Sequence, residues 1–191
     1  MVPRAFVALP LCAGLLDRLE QAATDLERCL ERPSALRWLP RGSLHLTLAF
    51  LGRVGDDALL ALMRGLREAA ADTPAFDYHV PSLTGFPSVA RPRVLAAVVG
   101  PCRPLETLAL AVREAAADAG LPVERRPFRG HVTLARPRAR RVCLPREPVP
   151  VDAACRAREL VLYRSDLRPE GAVHTPLEHY PLQPAASPAP E

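Results

Sequence analysis

A chain of 191 residues fits one domain or two small coupled lobes, and its hydrophobic fraction of 49% supports a sizeable core. Its net charge of +4 permits an anionic partner without demanding one. All 25 basic residues are arginine, which excludes a lysyl-nucleotide intermediate, Schiff-base chemistry and a Walker-type phosphate loop.

Arginine in turn suits phosphate recognition through its planar fork. The five cysteines (Cys12, Cys29, Cys102, Cys143 and Cys155) are odd in number and widely spaced, without a Cys-x-x-Cys. Neither a disulfide framework nor a zinc site is expected, and reduced thiols point to a cytoplasmic protein.

In chain order, Ala5–Leu9 reads as a buried strand ended by Pro10 rather than as a signal peptide, and no apolar run is long enough to span a membrane. Leu15, Leu16, Leu19, Ala22, Ala23, Leu26 and Leu30 recur at helical spacing over 12–30, and Pro33 stops that helix. Leu36–Leu39 and Leu44–Leu51 read as strands, the second ended by Gly52. Asp56 or Asp57 caps a helix running to about Ala71. Strands follow at Phe76–Leu83 and Arg93–Val99, then a helix over 104–119 with Gly120 at its C-terminal end. Short strands are expected at Val123–Arg126 and 131–135, a Pro- and Arg-rich loop at 137–150, and final strands at Glu159–Tyr163 and Ala172–Tyr180. The segment 183–191 lacks periodicity and reads as a disordered tail on a single bilobal domain of residues 1–182.

Each half therefore carries a long helix and strands. The expected class is α+β, with two pseudo-symmetric lobes, each a small mainly antiparallel sheet covered by helices, and a cleft between them.

One short stretch occurs twice: His45-Leu46-Thr47-Leu48 and His131-Val132-Thr133-Leu134. Alternation along a strand puts His45 and Thr47 on one face, and Leu46 and Leu48 on the other, in the core. The second copy does the same with His131 and Thr133. Two copies facing each other supply two imidazoles and two hydroxyls around one small space. That set suits a phosphodiester: one neutral histidine takes a proton from water, and one protonated histidine gives a proton to the leaving oxygen. The hydroxyls hold the non-bridging oxygens. No metal or cofactor is required. His79, His174 and His179 have no such context and read as structural or exposed, and Trp38 and Tyr163 as packing residues.

The paired His-x-Thr-x motifs resemble those of the 2H phosphoesterase superfamily. Arg37–Pro40, Leu44–Gly52 (LHLTLAFLG), Phe86-Pro87, Arg91–Leu95, Phe128–Arg136 (FRGHVTLAR) and Leu160–Ser165 are similar, in consistent order over about residues 4–182, to the bacterial RNA 2′,3′-cyclic phosphodiesterases, also called 2′-5′ RNA ligases. One departure is Gly130, where family members usually carry proline; glycine there would loosen the approach to His131.

The resemblance implies hydrolysis of RNA 2′,3′-cyclic phosphate ends, tRNA fragments among them, to 2′-phosphomonoesters, the ligase name describing the reverse reaction, in which a 5′-hydroxyl replaces water; a monomer is the default expectation. It implies that His45 is the proton donor and His131 the proton acceptor, with Thr47 and Thr133 at the phosphate. It also places Arg136 near the phosphate and Phe50 under the nucleobase. Phe50 follows Thr47 by three residues, so on an ideal strand it would face the core, and the stacking role needs a bulge. Arg125, Arg126, Arg129, Arg138, Arg140 and Arg141 surround the second motif as a candidate guide for RNA. Two alternatives remain: a phosphodiesterase of a small cyclic nucleotide or an ADP-ribose cyclic phosphate, and a non-catalytic RNA-binding module.

Overall fold

The computed structural model describes residues 4–30, 35–138, 144, 147–168 and 171–184. Arg140, Arg141, Cys143 and the tail from residue 185 onward lie outside the described residues. The elements run β1 (Arg4–Pro10), α1 (Ala13–Cys29), β2 (Leu36–Trp38), β3 (His45–Arg53), α2 (Asp56–Ala71), β4 (Phe76–Phe86), β5 (Val94–Val98), α3 (Arg103–Asp118), β6 (His131–Pro137), β7 (Val149–Ala157), β8 (Glu159–Arg168) and β9 (Gly171–Pro181).

The class is α+β, as expected. The strands form one nine-stranded sheet in the order β7-β4-β5-β6-β3-β1-β8-β9, with β2 added beside β6. Every pairing between named strands is antiparallel. The two halves meet at β3 and β6, which share a single registered pair, Leu46 opposite Val132. Beyond that pair β3 leaves β6, and β2 takes its place alongside Ala135–Pro137. The lobes are thus halves of one sheet joined at a narrow seam.

All three helices are amphipathic and bury one stripe, for example Leu15, Leu19, Ala22 and Leu26 of α1. α1 lies against β7, α2 and α3 pack on each other, and α3 also reaches β3 and β4. Gly65 permits the α2–α3 approach, since a Cβ there would come within 2.7 Å of the Ala115 Cβ. Gly120 (φ +73°) follows α3 in the left-handed conformation expected of a residue just past a helix end. Gly55, not Asp56 or Asp57, is the N-cap of α2; the two aspartates lie in its first turn, where they favour the helix dipole.

Three expectations need correction. Val123–Arg126 forms no strand; Arg126 is drawn into local contact with Glu124 (2.7 Å), and Arg113 takes its carbonyl (2.9 Å). The loop expected over 137–150 ends early, because β7 begins at Val149. Pro150 and the alanines of this segment mask the alternation of that strand in the sequence. Yet Val151, Ala153, Cys155 and Ala157 are buried in turn, and an edge position tolerates the proline. Gln183, assigned to the tail, is tied to the sheet end by hydrogen bonds with Thr73 and Ala75.

Candidate active site

The two motifs lie on the central strands of the sheet. Leu46 and Val132 pair at the seam, so the residues on either side of them, His45 and Thr47 on β3 and His131 and Thr133 on β6, converge on one cavity. The hydrophobic members, Leu46, Leu48, Val132 and Leu134, are at most 2% exposed and anchor the strands in the core. A cavity of about 610 Å³ opens on the other face and is lined by all six expected site residues: His45, Thr47, Phe50, His131, Thr133 and Arg136.

Phe50 and Arg136 reach that face through matching irregularities. On β3, Thr47 pairs with Ala8 and Ala49 with Val7, so Leu48 is an extra residue. On β6, Thr133 pairs with Ala96 and Ala135 with Leu95, so Leu134 is extra. Each bulge reverses the alternation. Leu48 and Ala49, like Leu134 and Ala135, are buried consecutively, and the residue three beyond each threonine turns back to the cleft. Phe50 is accordingly 68% exposed although it is aromatic. A second irregularity follows: Phe50 pairs with Phe6 and Gly52 with Ala5, with Gly52 at φ +68°.

His131 is oriented by its own backbone. Its Nδ1 lies 2.9 Å from the Arg129 carbonyl, which can only accept, so Nδ1 carries the proton and Nε2 offers a lone pair. Its ring stacks on Phe86 at 3.9 Å. Burial lowers its pKa, the Arg129 carbonyl raises it, and the nearby Arg129 charge lowers it again. Gly130 does not loosen this approach, as the sequence had suggested. Its carbonyl accepts from Val99 N (2.9 Å), and a Cβ there would crowd Val99 at 3.0 Å and Leu105 at 3.2 Å.

His45 sits in an aromatic setting. It stacks on Phe6 (4.7 Å), which stacks in turn on Tyr163 (5.1 Å). His174 meets both edge-on, at 5.3 Å from His45 and 4.9 Å from Phe6. Burial, then repulsion from His174, lowers the His45 pKa to about 4, against an opposing backbone hydrogen bond with Ser43. Burial lowers the pKa of His174 as well.

The structure overturns the structural-or-exposed reading of His174: it lines the cleft, and its buried Nδ1 has no hydrogen-bond partner among the described residues. Nothing near residue 174 in the chain hints at this, because β9 reaches the cleft only through its pairing with β8. His79 and His179 do lie outside, paired with Asp152 (2.8 Å) and Glu159 (3.1 Å). Trp38 lines the cavity while its Nε1 donates to Glu27 (3.1 Å).

The charge lining the cavity is one-sided: Arg4, Arg37 and Arg136 face it, and among the described residues no acidic side chain does. None of the described members of the cluster around the second motif, Arg125, Arg126, Arg129 and Arg138, lines it. Arg126 pairs with Glu124, and Arg129 donates to the Pro87 carbonyl (3.0 Å) and lies over the Phe86 ring. Among the described residues no group of three or more His, Cys, Asp or Glu could hold a metal ion, and no helix is long and apolar enough to cross a membrane.

Comparison with known proteins places this arrangement. An RNA 2′,3′-cyclic phosphodiesterase of Bacillus subtilis is 30% identical over 134 residues, covering 70% of this chain and 71% of that protein. Its Escherichia coli namesake is 32% identical over 181 residues, covering 94% and 96%. A crystal structure of a Thermus thermophilus protein superposes with a TM-score of 0.82 at 28% identity, over 95% of this chain and 98% of that one. Escherichia coli LigT complexed with 3′-AMP gives 0.76 at 29% identity, over 94% and 98%. Residues 15–167 match the model of the 2′-5′ RNA ligase superfamily, so a fold with two His-x-Thr motifs meeting at one seam belongs, in this chain, to that family.

Proposed function

We propose that this protein hydrolyses RNA 2′,3′-cyclic phosphate ends to 2′-phosphomonoesters, acting as a monomer without a metal, and that 2′-5′ ligation is the same opening of the cyclic phosphate with a 5′-hydroxyl in place of water. The observation that carries the reading is the seam itself, where an imidazole and a hydroxyl from each half-site line one cavity. The family's curated members named above are RNA 2′,3′-cyclic phosphodiesterases, which supports the same substrate class.

In the forward direction His131 Nε2 takes a proton from water, and the water oxygen bonds to phosphorus. The P–O3′ bond breaks as His45 protonates the 3′ oxygen. The product carries a 2′-phosphate and a free 3′-hydroxyl. Thr47, Thr133 and Arg136 hold the non-bridging oxygens as negative charge gathers on them. Phe50 offers a face to the terminal base. In ligation a 5′-hydroxyl of a second strand takes part in the same exchange of bonds, so no nucleotide activation is needed.

The test is hydrolysis of a labelled cyclic-phosphate oligonucleotide with the product isomer identified. His45→Ala and His131→Ala should each lower kcat by roughly 10²–10⁴-fold with the fold intact by circular dichroism. Near-normal turnover by both variants, or a 3′-phosphate product, would sink the assignment. Chelators should leave the rate unchanged.

A further inference from the structure

The cleft holds two arginines that this chemistry does not need, Arg4 and Arg37, and the position of Arg37 is informative. Arg37 of β2 lies directly opposite Arg136 of β6 in an antiparallel pair. Directly opposed side chains share one face of a sheet, and like charges in that relation are destabilising unless something offsets them. Neither guanidinium has a carboxylate partner within ion-pair distance among the described residues, whereas Arg28, Arg41, Arg67, Arg126, Arg156 and Arg164 each have one. Both line the cavity and both are solvent-exposed. The backbone beneath them is firmly pinned: Leu39 N donates to the Leu134 carbonyl and Arg138 N to the Ala35 carbonyl, each at 2.8 Å. Two guanidiniums that rise side by side from a pinned backbone into a cleft, without a carboxylate partner among the described residues, form a fork for an anion.

Its location says which anion. Because β3 and β6 are antiparallel, Phe50 and Arg136 point to opposite ends of the cleft, with the histidines and threonines between them. Arg136 lies three residues past Thr133, about 10 Å along the strand at most. In an RNA with a 2′,3′-cyclic phosphate terminus, every other phosphate lies on the 5′ side of that terminus. Arg4, opposite Arg53, lies at the Phe50 end, and Arg37 with Arg136 at the other, so a base stacked on Phe50 leaves the 5′-ward chain to run toward the paired arginines.

Resting on the reading of the site given above, we propose that the Arg37–Arg136 pair binds the first phosphodiester upstream of the cyclic end. Arg37 belongs to this subsite alone, and Arg136 is shared with the reacting phosphate. The substrate class is thereby an oligonucleotide, with mononucleotide 2′,3′-cyclic phosphates as poor substrates.

Three substrates test this: adenosine 2′,3′-cyclic phosphate, a dinucleotide ending in the same group, and that dinucleotide with a neutral methylphosphonate linkage. The wild-type protein should favour the charged dinucleotide over the other two by roughly tenfold or more in kcat/KM, the scale of one charge-assisted contact. Arg37→Gln should abolish that preference while turning over the mononucleotide at the wild-type rate, which also shows that the variant is folded. Equal wild-type kcat/KM for charged and neutral dinucleotides overturns the subsite, as does an equal loss on all three substrates in Arg37→Gln. Failure of the wild-type protein to turn over any of the three overturns the reading of the active site, and the subsite with it.

Discussion

At the residue scale, the two histidines are held neutral by the same cause, burial, but are prepared differently. His131 has its tautomer set by the Arg129 carbonyl, which leaves Nε2 ready to accept a proton. His45, with its pKa about 4, is nearly all neutral at pH 7 in the free protein, an awkward starting point for the proposed proton donor. A bound phosphodiester anion raises both pKa values by direct attraction. The optimum of kcat/KM, which reports the free enzyme, should therefore lie at more acidic pH than the optimum of kcat, which reports the complex. Superimposable profiles would refute this. Because His174 repels His45⁺, His174→Gln should raise the His45 pKa, read from imidazole proton shifts in an NMR titration; an unchanged value would count against the contact.

The same burial is a statement about stability. The unfolded chain protonates His45 near pH 6.5 and the folded chain near 4, so the unfolded state binds more protons between those values. Stability should be full above about pH 6.5 and fall as pH drops toward 4, by about 3 kcal/mol at most from this group. His45→Asn should flatten that slope in denaturant titrations at several pH values.

At the element scale, the motif that matters is longer than the four residues that repeat most plainly. His-x-Thr-Leu-Ala precedes Phe50 in one copy and Arg136 in the other, and the buried Leu-Ala pair is where each strand bulges. A period of two, read off the sequence, placed the imidazoles and hydroxyls on one face and the leucines in the core. It could not place Phe50 or Arg136, because a bulge depends on the partner strand's register and leaves no local mark except the doubled small-apolar step. Gly52 marks the second irregularity on β3. Gly52→Ala should cost about 1 kcal/mol in thermal or urea unfolding, since an L-residue is strained at φ +68°. It should also raise KM more than it lowers kcat, because Phe50 sits two residues away. Gly14 in the first turn of α1 has open space around it, so Gly14→Ala should instead stabilise by about 0.5–1 kcal/mol. The reverse pattern would mean that the bulge does not constrain the strand.

At the scale of the whole molecule, the division into two related halves was legible from the repeated motif and from helices alternating with strands. Their fusion into one sheet was not legible, nor was the arrival of His174 from β9, since both depend on long-range pairing that no local pattern encodes. The fusion matters because the proposed active site has no covalent or extensive framework of its own. Its two halves are held in register by the single Leu46–Val132 pair and the core beneath, where both side chains are completely buried. Shortening Leu46 should therefore act on two quantities at once. Leu46→Ala should cost about 2–5 kcal/mol by the removal of buried methyl groups and the cavity left behind. It should also lower kcat in the fraction of molecules that remain folded, because the imidazole of one half and the hydroxyl of the other lose their common register. Leu66→Ala, at an equally buried position in α2 away from the seam, serves as the control for stability loss alone. Both variants would be assayed at a temperature where unfolding curves show them more than nine-tenths folded. If Leu46→Ala then lost no more activity per folded molecule than Leu66→Ala, the seam would be a packing contact only, and the alignment of the two half-sites would have to come from β2 and the helices instead.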